Sequence, residues 1–392
     1  MISAMVPARP HPASARPRAA TALTLLLGAQ FVGIGGLFPF YTFARQDSIA
    51  LRAFAVALAA LALATIVGVW QRRPWALWAT LALVSCKLTV DLFNWALALD
   101  RSPLLALGEA INLGIIALAF LLALAGSPRV TSAHRIFYGF VLALAAFVAF
   151  WGLGLPRWVD SALPFLVPPL HARFLGAMYL SGAVFLALGI AAKDWSEVRV
   201  MTPMIAIWTG TLGLVSLLHL DQFDWTRGQT WVWFIAYSAY PLMAAWITWR
   251  QRGVAATAVA PPLALLLRGY LVAQGTLVTA LALSLLLAAP FMVRVWPWPI
   301  PLTLAHLYAA PFFSFGLGSL YAARQRDWPA VRIVVYGTLV FALSVLVASS
   351  VHRALFQFDR PVVWLWFGSF GLASLILSLY GSLPALRAAP PA

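Results

Sequence analysis

Runs of about 20 apolar residues, separated by short polar connectors, follow one another along almost the whole of this chain. As a helix, a run of that length crosses the roughly 30 Å hydrocarbon core of a bilayer. Backbone N–H and C=O groups in lipid must be bonded within the segment, and the runs lack the alternation of strands, so the pattern predicts helices. Twelve spans result: 20–41, 50–70, 75–98, 102–126, 135–156, 171–192, 199–220, 229–249, 265–289, 302–323, 330–351 and 361–384. Helix breakers occupy the connectors: Arg73-Pro74, Ser127-Pro128, Pro261-Pro262 and Trp328-Pro329. Residues 1–19, rich in Pro, Ala and Arg, read as a disordered cytoplasmic tail. They resemble the basic start of a signal peptide. The apolar run after Arg18, however, reaches Pro39-Phe40-Tyr41 without a small-residue cleavage site and is expected to remain as the first span. The expected fold class is all-α, a polytopic transmembrane helix bundle of about 12 spans.

Polar landmarks recur inside this pattern. Asp194-Trp195 precedes Val198-Arg199, and Asp327-Trp328 precedes Val331-Arg332; His219 and His352 each follow their arginine by 20 residues. Phe223-Asp224 answers Phe358-Asp359, and Trp231 and Trp233 answer Trp364 and Trp366. Upstream, Ala172-Arg173 matches Ala305-His306, and Pro168 matches Pro301. An internal repeat of this kind in a membrane protein is a device common in transporters. The spans divide into three four-helix units, 20–126, 135–249 and 265–384. Each unit holds an even number of spans, so successive units point the same way. The first unit matches more weakly, through Arg52 and Arg73 and through Val84-Ser85 to Phe93-Asn94-Trp95, and two clear units after an unrelated first third is the rival arrangement.

Composition agrees with the lipid reading: 63% of residues are hydrophobic, 9% are charged and the mean hydropathy is +0.90. The net charge of +15 is dispersed through the connectors, with no basic stripe or stacking platform, so no nucleic-acid partner is expected. With the N-terminus cytoplasmic, sixteen Lys and Arg residues fall on the inside and nine on the outside, which predicts both termini cytoplasmic in a plasma or inner membrane. Arginine so far outnumbers lysine, which is only Lys87 and Lys193, that the composition suggests a high-GC bacterial source. The single cysteine, Cys86, forms no intrachain disulfide and packs as a small hydrophobe.

Before the second spans of the last two units lie proline-rich apolar stretches, Leu163 to Leu170 and Pro290 to Leu302 with Trp296-Pro297-Trp298-Pro299. Proline prevents a full span there, and tryptophan prefers the headgroup zone, so short re-entrant or surface segments are expected. The tryptophan-proline run, Pro-x-x-x-Ala-[Arg/His] and Arg-Asp-Trp-x-x-Val-Arg together resemble a pattern of uncharacterised bacterial multi-span integral membrane proteins, over about the last 220 residues. That resemblance implies class and origin and carries no activity.

Charges within spans are costly and are paired or functional. Lys87 and Asp91 share one face of the third span, and the antiparallel fourth span carries Glu109 and Asn112 at matching depth. Desolvation of one carboxyl would make it a proton or cation carrier. A buried ion pair fixing two helices explains the same residues and is the weightier reading; what sustains the other is that the later units have no comparable acid. A second constellation is predicted on the outer face: His219, Asp221 and Asp224, echoed by His352 and Asp359, with His171, Arg173 and His306 starting neighbouring spans. His with Asp suits a metal or proton relay, but the spacing matches no metal motif, and capping or headgroup contact outweighs it. The Asp194/Arg199 and Asp327/Arg332 pairs read as helix-start acids and loop-fixing arginines.

No phosphate-binding loop, nucleophile elbow or Cys/His metal signature occurs, so no metal and no cofactor are expected and ATP-driven transport by this chain is disfavoured. A secondary transporter or permease-like protein for a small solute or ion is the leading function. A membrane-embedded enzyme or lipid-binding protein using the outer His, Asp and Arg residues is the alternative, and a non-catalytic scaffold or sensor is a third.

Overall fold

A computed structural model describes residues 49–71, 128–156, 163–165, 167–254 and 262–383, with Thr24, Leu27, Arg73, Trp75, Ala76, Ala79 and Thr80. The chain divides into two compact units, 1–125 and 126–392. In the first, helix α1 (Ile49–Trp70) occupies the predicted second span. The buried Thr65 hydroxyl donates to the Leu61 carbonyl one turn back, which satisfies it without a partner helix.

The second unit is a bundle of long helices joined by short connectors: α2 (Ser132–Gly154), α3 (Pro169–Ala191), the short α4 (Trp195–Val198) leading into α5 (Met201–Leu218), α6 (Gly228–Arg250), α7 (Leu265–Leu287), the short α8 (Ala289–Val295), α9 (Leu302–Ala323), α10 (Trp328–Val351) and α11 (Pro361–Ser382). The helix ends lie within about three residues of those the hydrophobic pattern predicts. Among the described residues, six segments are long and apolar enough to cross a membrane: α2, α3, α4 with α5, α7, α10 and α11. The outward surface agrees with that reading. Leu265, Leu266 and Leu287 are each about four-fifths exposed, an arrangement water would penalise and lipid does not.

Local chemistry sets the helix starts. Pro169, Pro329 and Pro361 sit in first turns, where a missing N–H costs nothing. Asp327 accepts from the Ala330 N–H at 3.1 Å, and the Lys193 and Asp194 N–H groups donate to Glu197 at 3.0 Å. These acids cap helix N-termini, the role the sequence assigned to the Asp194 and Asp327 positions. Of the two arginines, Arg199 donates to the Val254 carbonyl, fixing a connector, whereas Arg332 reaches a different acid and forms an ion pair with Glu197.

Packing repeats at a constant offset of 133 residues, the separation of His219 from His352. Helix α2 packs on α3 as α7 packs on α9, and α5 on α6 as α10 on α11. Across the middle the partners are exchanged: α3 packs on α10, and α9 on α5. The Ser181 hydroxyl donates to the Gly337 carbonyl at 2.6 Å, while that of Ser314 donates to the Met204 carbonyl at 2.8 Å. Arg129 bridges Asp194 as Pro262 bridges Asp327. Glycine permits the close approaches: a Cβ on Gly152 would lie 2.8 Å from the Gly176 Cα, so α2 and α3 touch backbone to backbone. Gly316 and Gly318 pack against Thr279 of α7 and Met204 of α5 in the same way.

Candidate functional site

Of the two arrangements the sequence allows for the connectors between α2 and α3 and between α7 and α9, re-entrant or surface, their described residues do not take the surface one. Leu163, Phe165, Trp296, Trp298 and Ile300 are all buried. Proline ends the helix, and the apolar chain that follows gains more by filling the gap between helix ends than by lying on the surface. The fit is the same in both places. Phe165 packs edge-on to Phe223 (5.7 Å between centroids) and Trp233 (5.3 Å), and Trp298 packs on Phe356 (5.2 Å) and Trp366 (4.9 Å). The Trp233 indole donates to Ser216 at 2.8 Å, and that of Trp366 to Ser349 at 3.1 Å. Trp233 and Trp366 are thus the far wall of these clusters, whereas the other tryptophans noted in the sequence, Trp231 and Trp364, donate to the Trp225 and Phe358 carbonyls.

The predicted outer-face residues gather at this end of the bundle. Arg173, at the start of the second turn of α3, donates to Nε2 of His352, just past the end of α10, at 2.5 Å. Burial, and secondarily the Arg173 guanidinium, hold the His352 pKa below the usual histidine value. The imidazole is therefore neutral near pH 7, consistent with Nε2 acting as acceptor. At the offset position, His306 on α9 meets His219 at the end of α5, with Nδ1 and Nε2 2.8 Å apart, and Thr303 lies 3.5 Å from the other His219 nitrogen. One contact thus holds a permanent cation and a neutral imidazole, its counterpart two imidazoles. His171, buried beside Arg173, has both nitrogens engaged. Nε2 donates to the Pro299 carbonyl at 3.0 Å, and Nδ1 accepts from the Tyr308 hydroxyl at 2.7 Å, with the Trp298 indole at 3.5 Å.

The predicted acids stand apart from these histidines. Asp221 accepts from Gln222 at 2.6 Å, Asp224 accepts from the Thr226 hydroxyl (2.6 Å) and N–H (3.0 Å), and Asp359 is exposed. The Thr226 hydrogen bonds hold the Asp224 carboxyl below the usual carboxylate range. An aspartate in a helix-connecting loop finds backbone and hydroxyl donors locally, so the His-Asp spacing did not produce His-Asp contact. Among the described residues no group of three His, Cys, Asp or Glu side chains is placed to hold a metal ion. The other predicted cluster, Lys87, Asp91, Glu109 and Asn112, lies outside the described residues.

Beside Arg173 opens a cleft of about 740 Å³, lined by Arg173, His171, His352 and a wall of Trp298, Leu170, Ile300, Leu355 and the prolines 156, 168, 169, 299 and 301. Its size falls in the usual range of about 300–1,000 Å³ for ligand sites. Deeper in the bundle, Tyr179, Trp208, Tyr237 and Met204 surround a space of about 60 Å³, with the two tyrosine hydroxyls hydrogen-bonded to one another. That space suits a few waters at most. Sequence reasoning found Arg173, His171 and His352 but not the cleft or Tyr308; the dense prolines around Trp298 were the available signal. Comparison with family models, with curated proteins and with solved structures gives no match to this chain.

Proposed function

We propose that this chain is an integral membrane protein of the permease-like, secondary-transporter class. In this reading, residues 128–254 and 262–383 are two copies of one four-helix unit, related by a two-fold rotation about the membrane normal. The supporting observation is the exchange of partners. In a two-fold interface, residue i of one copy meets j of the other and j meets i. Arg173–His352 with His306–His219, and Ser181–Gly337 with Ser314–Met204, follow that rule. Two units meeting on such an axis provide the element that rocks in alternating access. The reading extends to a third unit over 20–126, whose Lys87, Asp91 and Glu109 would supply the coupling charge, in a bacterial inner membrane with both termini cytoplasmic. Its test is proton movement in vesicles holding the purified chain and a trapped pH dye, on addition of a mixture of small solutes. Solute-dependent acidification should occur and be abolished by Glu109→Gln at unchanged thermal stability. Equal acidification with and without Glu109 would leave the cluster a structural ion pair.

A second reading, a membrane-embedded enzyme or lipid-binding protein acting at the helix ends, is favoured by one observation: the cleft beside Arg173 and His352.

A further inference from the structure

We propose that the cleft beside Arg173 binds the oxyanionic head of an amphiphile, a phosphate monoester or carboxylate carried on an apolar chain. The inference deepens the second reading above and stands whether or not the protein transports. Three observations carry it.

The first is an unfilled donor set. Arg173 gives one N–H to His352 and makes no ion pair among the described residues, so the rest of its planar fork remains available beside the cleft. A guanidinium matches carboxylate and phosphate through paired N–H donors, the strongest hydrogen bonds a neutral-pH side chain offers.

The second is sign. No carboxylate lines the cleft among the described residues, and Asp359, in the same loop as Leu355, is exposed and stands outside the lining. The bound imidazoles reinforce this. His352 is held as the acceptor of Arg173, and His171 is held between Tyr308 and Pro299, so neither competes for the remaining guanidinium donors.

The third is the wall. Leu170, Trp298, Ile300, Leu355 and the flanking prolines present almost only carbon to the cleft, and the short side chains and rigid rings leave it open rather than collapsed. A free inorganic ion would leave that wall facing water, whereas a chain attached to the head covers it. Asymmetry points the same way. The offset position replaces Arg173 by His306 and pairs it with His219, so the permanent cation belongs to one site alone.

The test uses the full chain in nanodiscs of zwitterionic lipid, with empty nanodiscs as blank, and equilibrium dialysis of three probes: hexyl phosphate, inorganic phosphate and hexyltrimethylammonium. Saturable binding of hexyl phosphate is expected, with inorganic phosphate bound at least about tenfold more weakly and no binding of the cation. Arg173→Gln should weaken hexyl phosphate by about tenfold or more, the loss expected for a pair of charge-assisted hydrogen bonds. Leu355→Glu, on an exposed turn, places a carboxylate at the cleft and should abolish binding without touching Arg173. His219→Gln, at the offset position, should leave it unchanged. Equal affinity for inorganic and hexyl phosphate would overturn the amphiphile and leave a free anion as ligand. Binding of the cation, binding that survives both Arg173→Gln and Leu355→Glu, or the absence of saturable binding would overturn the site. None of these outcomes depends on solute-driven proton movement, so failure here and failure of the transport reading are separate results.

Discussion

Gly337→Ala is expected to destabilise the bundle where Gly318→Ala does not, although the two glycines face each other's offset partners. Gly337 on α10 packs against the ring of Phe185 on α3, and Gly318 on α9 packs against the thioether end of Met204 on α5. An added methyl at either position falls well inside van der Waals contact. The difference lies in what must move. The Phe185 ring is nearly buried and rigid, and displacing it carries an overpacking cost of about 1–3 kcal/mol. Met204 is equally buried and its Cγ also lies in the way, but the rotatable bonds on either side of its sulfur let it move at smaller cost than a ring. Against both stands the gain of about 0.5–1 kcal/mol from replacing glycine inside a helix. Gly318→Ala should therefore come out near neutral, and Gly337→Ala between about 0 and 2.5 kcal/mol less stable, centred on about 1 kcal/mol. At roughly 2–4 °C per kcal/mol for a domain of this size, that is a fall of up to about 10 °C in Tm, read by thermal unfolding of the detergent-solubilised chain. Adding Phe185→Leu to Gly337→Ala should recover part of the loss, giving a coupling of about 0.5 kcal/mol or more. A Gly337→Ala protein more stable than the parent, or an effect indifferent to Phe185→Leu, would refute the packing described for α3 against α10.

Asp327→Ala removes the acceptor of the Ala330 N–H at the start of α10 and should cost about 1 kcal/mol in the same assay; no change in Tm would show the cap to be unimportant. Because His352 is held below its unfolded pKa, the unfolded chain binds the extra proton first on acidification. The stability that this histidine contributes is thus present above about pH 6.5 and lost as the pH falls toward its folded value. The drop in Tm from pH 7 to pH 5 should accordingly be smaller in His352→Gln, and equal drops would contradict the Arg173–His352 contact. Cysteine substitutions near Asp160 and Arg227 should react with an impermeant maleimide added outside cells, and those near Arg252 and Arg326 should not; reversed labelling would overturn the orientation.

For residues 128–254 and 262–383 the apolar runs by themselves determined that helices form and where they end, while the predicted spans 20–41, 75–98 and 102–126 lie largely outside the described residues. A bilayer-length run leaves the backbone one way to satisfy its hydrogen bonds, and proline or aspartate at its start marks the boundary. The sequence also carried the offset between His219 and His352, between Trp233 and Trp366 and between Asp194 and Asp327, because repeated residues are visible before any contact is known. Which residues meet was decided only by tertiary structure. Spacing suggested His219 with Asp221 and Asp224, neighbours along the chain, but a loop aspartate finds a threonine closer than a histidine on a helix end, and His219 turns to His306, 87 residues away. Arg173 and His352 likewise belong to different helices, and their contact exists because α3 packs on α10. The burial of Trp296 and Trp298 was hidden for the same reason: composition sends tryptophan to the interface, whereas the gap it fills is created only when the surrounding helix ends come together.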